Sequence, residues 1–138
     1  MSEDPTGIRA ETHPRAPDPR LRGRTYAITF DRVWNAALAL AGGGIQRWRV
    51  LASDDEKGTI QDEAATLILR RPCEVRIRIG LDENGQTRVD LRTALVSGRR
   101  DWGSNARRIA RFIVALDEKL AATPAQILDA TRKPQFTA

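Results

Sequence analysis

Four arginines, Arg99, Arg100, Arg107 and Arg108, crowd the start of the helical stretch GRRDWGSNARRIARFIVAL at residues 98–116. The stretch reads as the start of a helix, and a helix N-terminus carries partial positive charge, so cations gathered there oppose the dipole. Two arrangements account for them. In one, free backbone N–H groups and guanidinium forks together bind an anion, such as a phosphate, a lipid head group or a partner's carboxylate. Arg92, Arg99, Arg100, Trp102 and Arg107 are then the candidate binding residues. In the other, Asp101 caps the helix and pairs with Arg108 or a neighbouring arginine, Asn105 ties down the incoming loop, and Gly98 and Gly103 permit the bend.

Other chemistry is scarce. His13 is the only histidine, so Ser-His or Cys-His catalysis lacks a base near any folded element. One His and one Cys do not make the usual zinc site, and no other metal or cofactor is expected. Cys73 follows Pro72 at a strand start and reads as a small, partly buried side chain. The acids Asp54-Asp55-Glu56 and Asp62-Glu63 lack the spacing and the glycine of a calcium loop. Gly42-Gly43-Gly44 is followed by no Lys-Ser/Thr and ends a helix rather than beginning one, so it is not read as a phosphate loop.

Charge is concentrated. The chain carries a net +5, and residues 88–111, with seven arginines against Asp90 and Asp101, hold a surplus of the same size. A partner recognised by charge should be anionic and should meet this stretch. Nucleic acid is the weaker expectation, because lysine is scarce and aromatics make up 5% of residues with no basic-aromatic interleaving. An enzyme using Asp101, Arg92 and Arg108 without histidine is a rival reading; it needs a concave pocket over those residues and a carboxylate with a raised pKa.

These residues need a scaffold, and 138 residues suit one domain with a core of its own. No apolar run approaches the ~20 residues of a membrane span. The first twenty residues carry early acids and no apolar stretch, so they do not read as a secretory signal, and the expected compartment is the cytoplasm. Residues 1–24 hold four of the seven prolines and few large apolar side chains, which predicts a disordered tail ahead of a single domain at 25–138.

Elements follow from periodicity. TYAITF (25–30) reads as a strand, and Asp31 as the cap of a helix marked by Trp34, Ala37, Leu38 and Ala41. Two further strands follow at 47–53 and 59–70. In EVRIRIGLDENGQTRVDLRTAL the apolar and charged residues alternate, as in an antiparallel hairpin with one solvated side. A three-residue loop, Glu83-Asn84-Gly85 with Gly left-handed, sets Ile79 opposite Val89, Ile77 opposite Leu91 and Arg78 opposite Asp90. The alternative two-residue turn would set Ile79 against Asp90, so the first register is preferred. Ile109, Phe112, Ile113, Leu116 and Leu120 form an unbroken helical stripe; its burial contributes on the order of 10 kcal/mol before entropy. TPAQILDATRK (123–133) suggests a short final helix with a Thr123/Gln126 capping box and Pro124 in the first turn. The expected fold is α+β in the order β-α-β-β-β-β-α: an antiparallel sheet of about five strands with two main helices packed on one face.

VDLRTALVSGRRDWGSNARRIARFI resembles the signature of the bacterial and plastid domain-of-unknown-function family 1499, roughly V-D-x-R-S-x-S-R-x-G-x-S-D-x-G-x-N-x-x-R-I. The matching residues are Val89, Asp90, Arg92, Gly98, Asp101, Gly103, Asn105, Arg108 and Ile109. The resemblance extends over about residues 25–120 through FDRVWNAALALA, the strand near Trp48 and VRIRI. It implies a fold and a structural motif of Asp90, Gly98, Asp101, Gly103, Asn105 and Arg108, without an established activity. It also implies envelope or membrane association for many relatives. Thr93, Leu95-Val96 and Arg100 depart from the signature, replacing Ser, Ser-Arg and Ser. The combined expectation is a small non-enzymatic α+β module that binds a protein partner or an anionic ligand through an arginine-rich corner at the start of the long helix.

Overall fold

Alternation along the chain decides the sheet, because side chains on a strand point to opposite faces in turn. The structure is a computed structural model that describes residues 9–66, 72–95 and 103–128. In it, β1 (Arg9–Glu11) and β2 (Arg24–Tyr26) precede helix α1 (Phe30–Ala39). Strands β3 (Trp48–Asp54), β4 (Thr59–Ala65), β5 (Pro72–Leu81) and β6 (Thr87–Leu95) follow as a meander. Helix α2 (Ser104–Leu120) and the two-residue β7 (Ile127–Leu128) complete the order. All seven strands join one antiparallel sheet in the order β3-β4-β5-β6-β2-β7, with β1 also paired to β6. The fold is α+β, with both helices on one face of the sheet.

The β5–β6 hairpin takes the register expected from its loop: Ile79 pairs with Val89, Ile77 with Leu91 and Arg78 with Asp90. Gly85 sits at φ +74°, the left-handed position that a three-residue loop requires. The Asp82 carboxylate accepts the amides of Asn84 and Gln86, each at 2.9 Å, and fixes the turn. Val75, Ile77, Ile79, Val89 and Leu91 are consequently buried, and the α2 stripe Ile109, Phe112, Ile113, Leu116 and Leu120 closes over the sheet. Trp48 on β3 stacks on Phe112 at 5.5 Å. Near its C-terminal end α2 is anchored by Asp117, which accepts the Tyr26 hydroxyl at 2.5 Å and a bidentate Arg24. Burial, then the Asp117 hydrogen bond, pushes the Tyr26 phenol far above its ordinary pKa.

Several expectations are corrected. Residues 9–24, expected within a disordered tail, instead lay β1 along β6, and Ala10, Ala16 and Leu21 are buried. The segment carries little apolar surface, but β6 extends past β2 and leaves backbone groups to satisfy: the Thr12 amide donates to the Leu91 carbonyl at 2.9 Å. In TYAITF only residues 25 and 26 lie in a strand; the helix begins at Phe30, which stacks on Trp34, and Thr29 rather than Asp31 occupies the N-cap position. At the C-terminal end the Thr123/Gln126 capping box and Pro124 open a helical turn as expected. It is a 3-10 turn (Pro124–Gln126) followed by strand β7, because β2 has a free side onto which Ile127 and Leu128 pair; the remainder of the expected helix, residues 129–133, lies outside the described residues. These two short strands raise the count from about five to seven. The triple glycine ends α1 as expected, in a wide turn over Leu40–Gly44 with Gly43 at φ 127°. Strand β3 carries a bulge between Val50 and Ala52, where Leu51 is left exposed.

Two local features lead to predictions. Gly58 has φ +70°, and an added Cβ would lie 1.9 Å from the Ile79 carbonyl oxygen. Gly58→Ala should lower stability in urea unfolding by about 3 kcal/mol or more. Gly85→Ala, with a similar φ but open space around it, should cost about 1–2 kcal/mol. Asp62 is fully buried; its Oδ1 accepts the Glu63 amide at 2.6 Å while Oδ2 has no partner. Desolvation pushes its carboxyl from 3.8 up to about 7. The folded state therefore holds a proton that the unfolded state releases. That stability is fully present below pH 3.8 and is lost as the pH rises through about 7. Its size is on the order of 4 kcal/mol. Asp62→Asn should flatten the pH profile of the unfolding midpoint over this window.

Candidate anion-binding site

The hairpin register has a consequence on its outer, solvated face. It places Arg76 directly opposite Arg92, next to the Arg78–Asp90 pair. Like charges across a strand pair repel, so the partners of these residues matter. Asp90 is opposite Arg78 but is held elsewhere. Arg88 grips it with two bonds of 2.9 and 3.1 Å, and the Thr12 hydroxyl donates to it at 2.7 Å. Arg88 is locked in turn by the Thr25 hydroxyl and the Arg22 carbonyl. Among the described residues, Arg76, Arg78 and Arg92 therefore have no ion pair or hydrogen bond from their side chains, and all three are exposed. Glu11 lies across β1–β6 from Arg92, and no ion pair joins them.

These arginines face a groove of about 580 Å³. Arg76, Arg78, Asp90 and Arg92 form its floor, Thr59, Gln61, Ala52 and Ser53 one wall, and Glu11 to Pro14 the other. One of the two walls comes from the segment expected to be disordered. The sole histidine, His13, accepts the Arg15 amide on Nδ1, so its Nε2 carries the ring proton when the ring is neutral. The site can present several guanidinium forks to one anionic group, with hydroxyls and a side-chain amide on the adjoining wall.

The corner expected at the helix start is divided. Arg92 lies on the outer face of the sheet, whereas Arg107 is exposed on α2, in a separate shallow depression with Arg20 and Arg111. Arg99, Arg100, Trp102, Gly98 and Asp101 lie outside the described residues, and so do the Asp101 cap and its pairing with Arg108. Gly103 precedes the helix at φ 83°. Asn105 is buried; its carbonyl oxygen accepts from Arg108 at 2.7 Å and from the Cys73 thiol at 3.2 Å. Arg108 also reaches Cys73 Sγ at 3.3 Å. Arg92 and Arg108, two members of the rival set, therefore belong to opposite sides of the sheet. Among the described residues no group of His, Cys, Asp and Glu is placed to hold a metal. No helix among the described residues is long and apolar enough to cross a membrane.

Arg76 and Arg78 were missed because charge was counted along the chain rather than across the sheet. The signal was available: the register that pairs Arg78 with Asp90 also pairs Arg76 with Arg92.

An antiparallel sheet carrying two helices on one face, with an arginine-floored groove on the other, defines the molecule as a small α+β module. The chain belongs to the family described as protein of unknown function (DUF1499), whose model matches residues 2–116. The match includes the N-terminal segment as far as β1 and the signature on β6 and α2. None of the curated proteins compared matches the chain.

Asp90 links the N-terminal segment to the groove. Asp90→Ala should destabilise the protein by about 1–3 kcal/mol, since it strands the Arg88 guanidinium. It should also speed hydrogen exchange at the Thr12 amide more than at core amides of β5.

Proposed function

We propose that the protein is a non-enzymatic module that binds an anionic ligand through the outer-face groove, with Arg76, Arg78 and Arg92 as the recognition residues. The observation that carries this reading is the set of three neighbouring guanidinium groups without protein partners in a groove of about 580 Å³. Cavities of roughly 300–1,000 Å³ are the usual size of small-molecule sites. The inventory of side chains supports binding rather than turnover. The groove's carboxylates are Asp90, occupied by Arg88 and Thr12, and Glu11, and its one histidine is exposed. Of the corner expected at the helix start, Arg92 is retained here, and Arg107 belongs to a different surface.

Titration of the full chain with inorganic phosphate, followed by ¹⁵N–¹H correlation spectra, tests the proposal. Amide shifts should centre on residues 76–78 and 90–92, and Arg76→Ser combined with Arg92→Ser should weaken binding at least tenfold. Shifts centred on residues 99–108 would move the site to the helix start, and no saturable shift at millimolar phosphate would reject it.

A further inference from the structure

Carboxylates stand beside the groove arginines on the outer face, and they restrict what fits. Across the strands the rows run Arg49–Glu63–Glu74–Ala94–Arg9, then Ala52–Gln61–Arg76–Arg92–Glu11, then Asp54–Thr59–Arg78–Asp90, with Arg49 ion-paired to Glu63. The arginines are bounded by Glu74 on one side and by Glu11 on another, and they open toward the uncharged Gln61 and Thr59. Resting on the anion-binding reading above, we infer that the groove takes a small phosphomonoester, with its phosphate on Arg76, Arg78 and Arg92 and an uncharged polar body against Gln61 and Thr59.

Three considerations lead there. A polyanion extended over this face would run onto Glu74 or Glu11 and lose by repulsion what the arginines supply. The guanidinium is a planar fork that engages two oxygens at once, so Arg76 facing Arg92 across β5 and β6, with Arg78 beside them, matches the three terminal oxygens of a phosphate better than a single carboxylate. The wall at Gln61 and Thr59 offers an amide and a hydroxyl but no charge, which suits a hydroxyl-bearing body such as a sugar. The groove has room for such a body beyond the phosphate itself.

Calorimetric titration of the full chain with ribose 5-phosphate, ribose, inorganic phosphate and heparin, together with co-sedimentation on phosphatidic-acid vesicles, tests the inference. Ribose 5-phosphate should bind at least tenfold more tightly than inorganic phosphate, and ribose alone should not bind. Gln61→Ala and Thr59→Val should each reduce that preference while leaving phosphate binding intact; Arg78→Gln should weaken both ligands. Thermal melts of the variants report folding separately. Equal affinity for phosphate and ribose 5-phosphate, or binding only to heparin or to the vesicles, overturns the phosphomonoester assignment and leaves arginine-based anion binding standing. No binding of any anion, with folded wild-type protein, overturns both.

Discussion

A single register, that of β5 on β6, decides which side chains of this molecule meet oil and which meet water. Side chains alternate along a strand, so moving the pairing by one residue would turn Val89 and Leu91 outward and bring Arg88, Asp90 and Arg92 under the helices. The loop holds the register from both ends: Gly85 accepts a left-handed backbone, and Asp82 receives two of the loop's amides. The same alignment that lays Ile77 and Leu91 under the helices brings Arg76 and Arg92 face to face on the far side. Core and groove are therefore two readings of one set of backbone hydrogen bonds.

What the chain made legible follows from how local each interaction is. The α2 stripe and the hairpin alternation are periodic over many residues, and both appear in the structure as read. Strands β1 and β7 have three and two residues, too few for any period, and they exist because neighbouring strands leave backbone groups to be paired. The fate of Asp90 was hidden for a similar reason. Its cross-strand neighbour is Arg78, yet Arg88 on the same strand holds it, because Thr25 and the Arg22 carbonyl fix the Arg88 guanidinium from the adjoining segment. A partner chosen by a third element cannot be found from two.

The groove depends on the same N-terminal segment. Thr12 donates to Asp90 through its side chain and to the Leu91 carbonyl through its backbone, while its hydroxyl accepts the Leu91 amide. With the β1–β6 pairs of Arg9–Glu11 these bonds tie the wall to the floor, so on the proposed reading occupancy of the groove and docking of residues 9–14 are thermodynamically linked. A ligand that touches both favours their closed association by as much as it prefers it.

Strand β3 forms one border of the sheet, and a border strand ordinarily offers a row of open amides and carbonyls on which another chain can grow. The bulge at Leu51 interrupts that row midway, since two residues there stand against one on β4 and the strand twists away from the regular spacing. An incoming strand would find its ladder broken after a few rungs. The irregularity that leaves one leucine in water thus works against edge-to-edge polymerisation, a benefit that no side-chain contact within the chain would reveal.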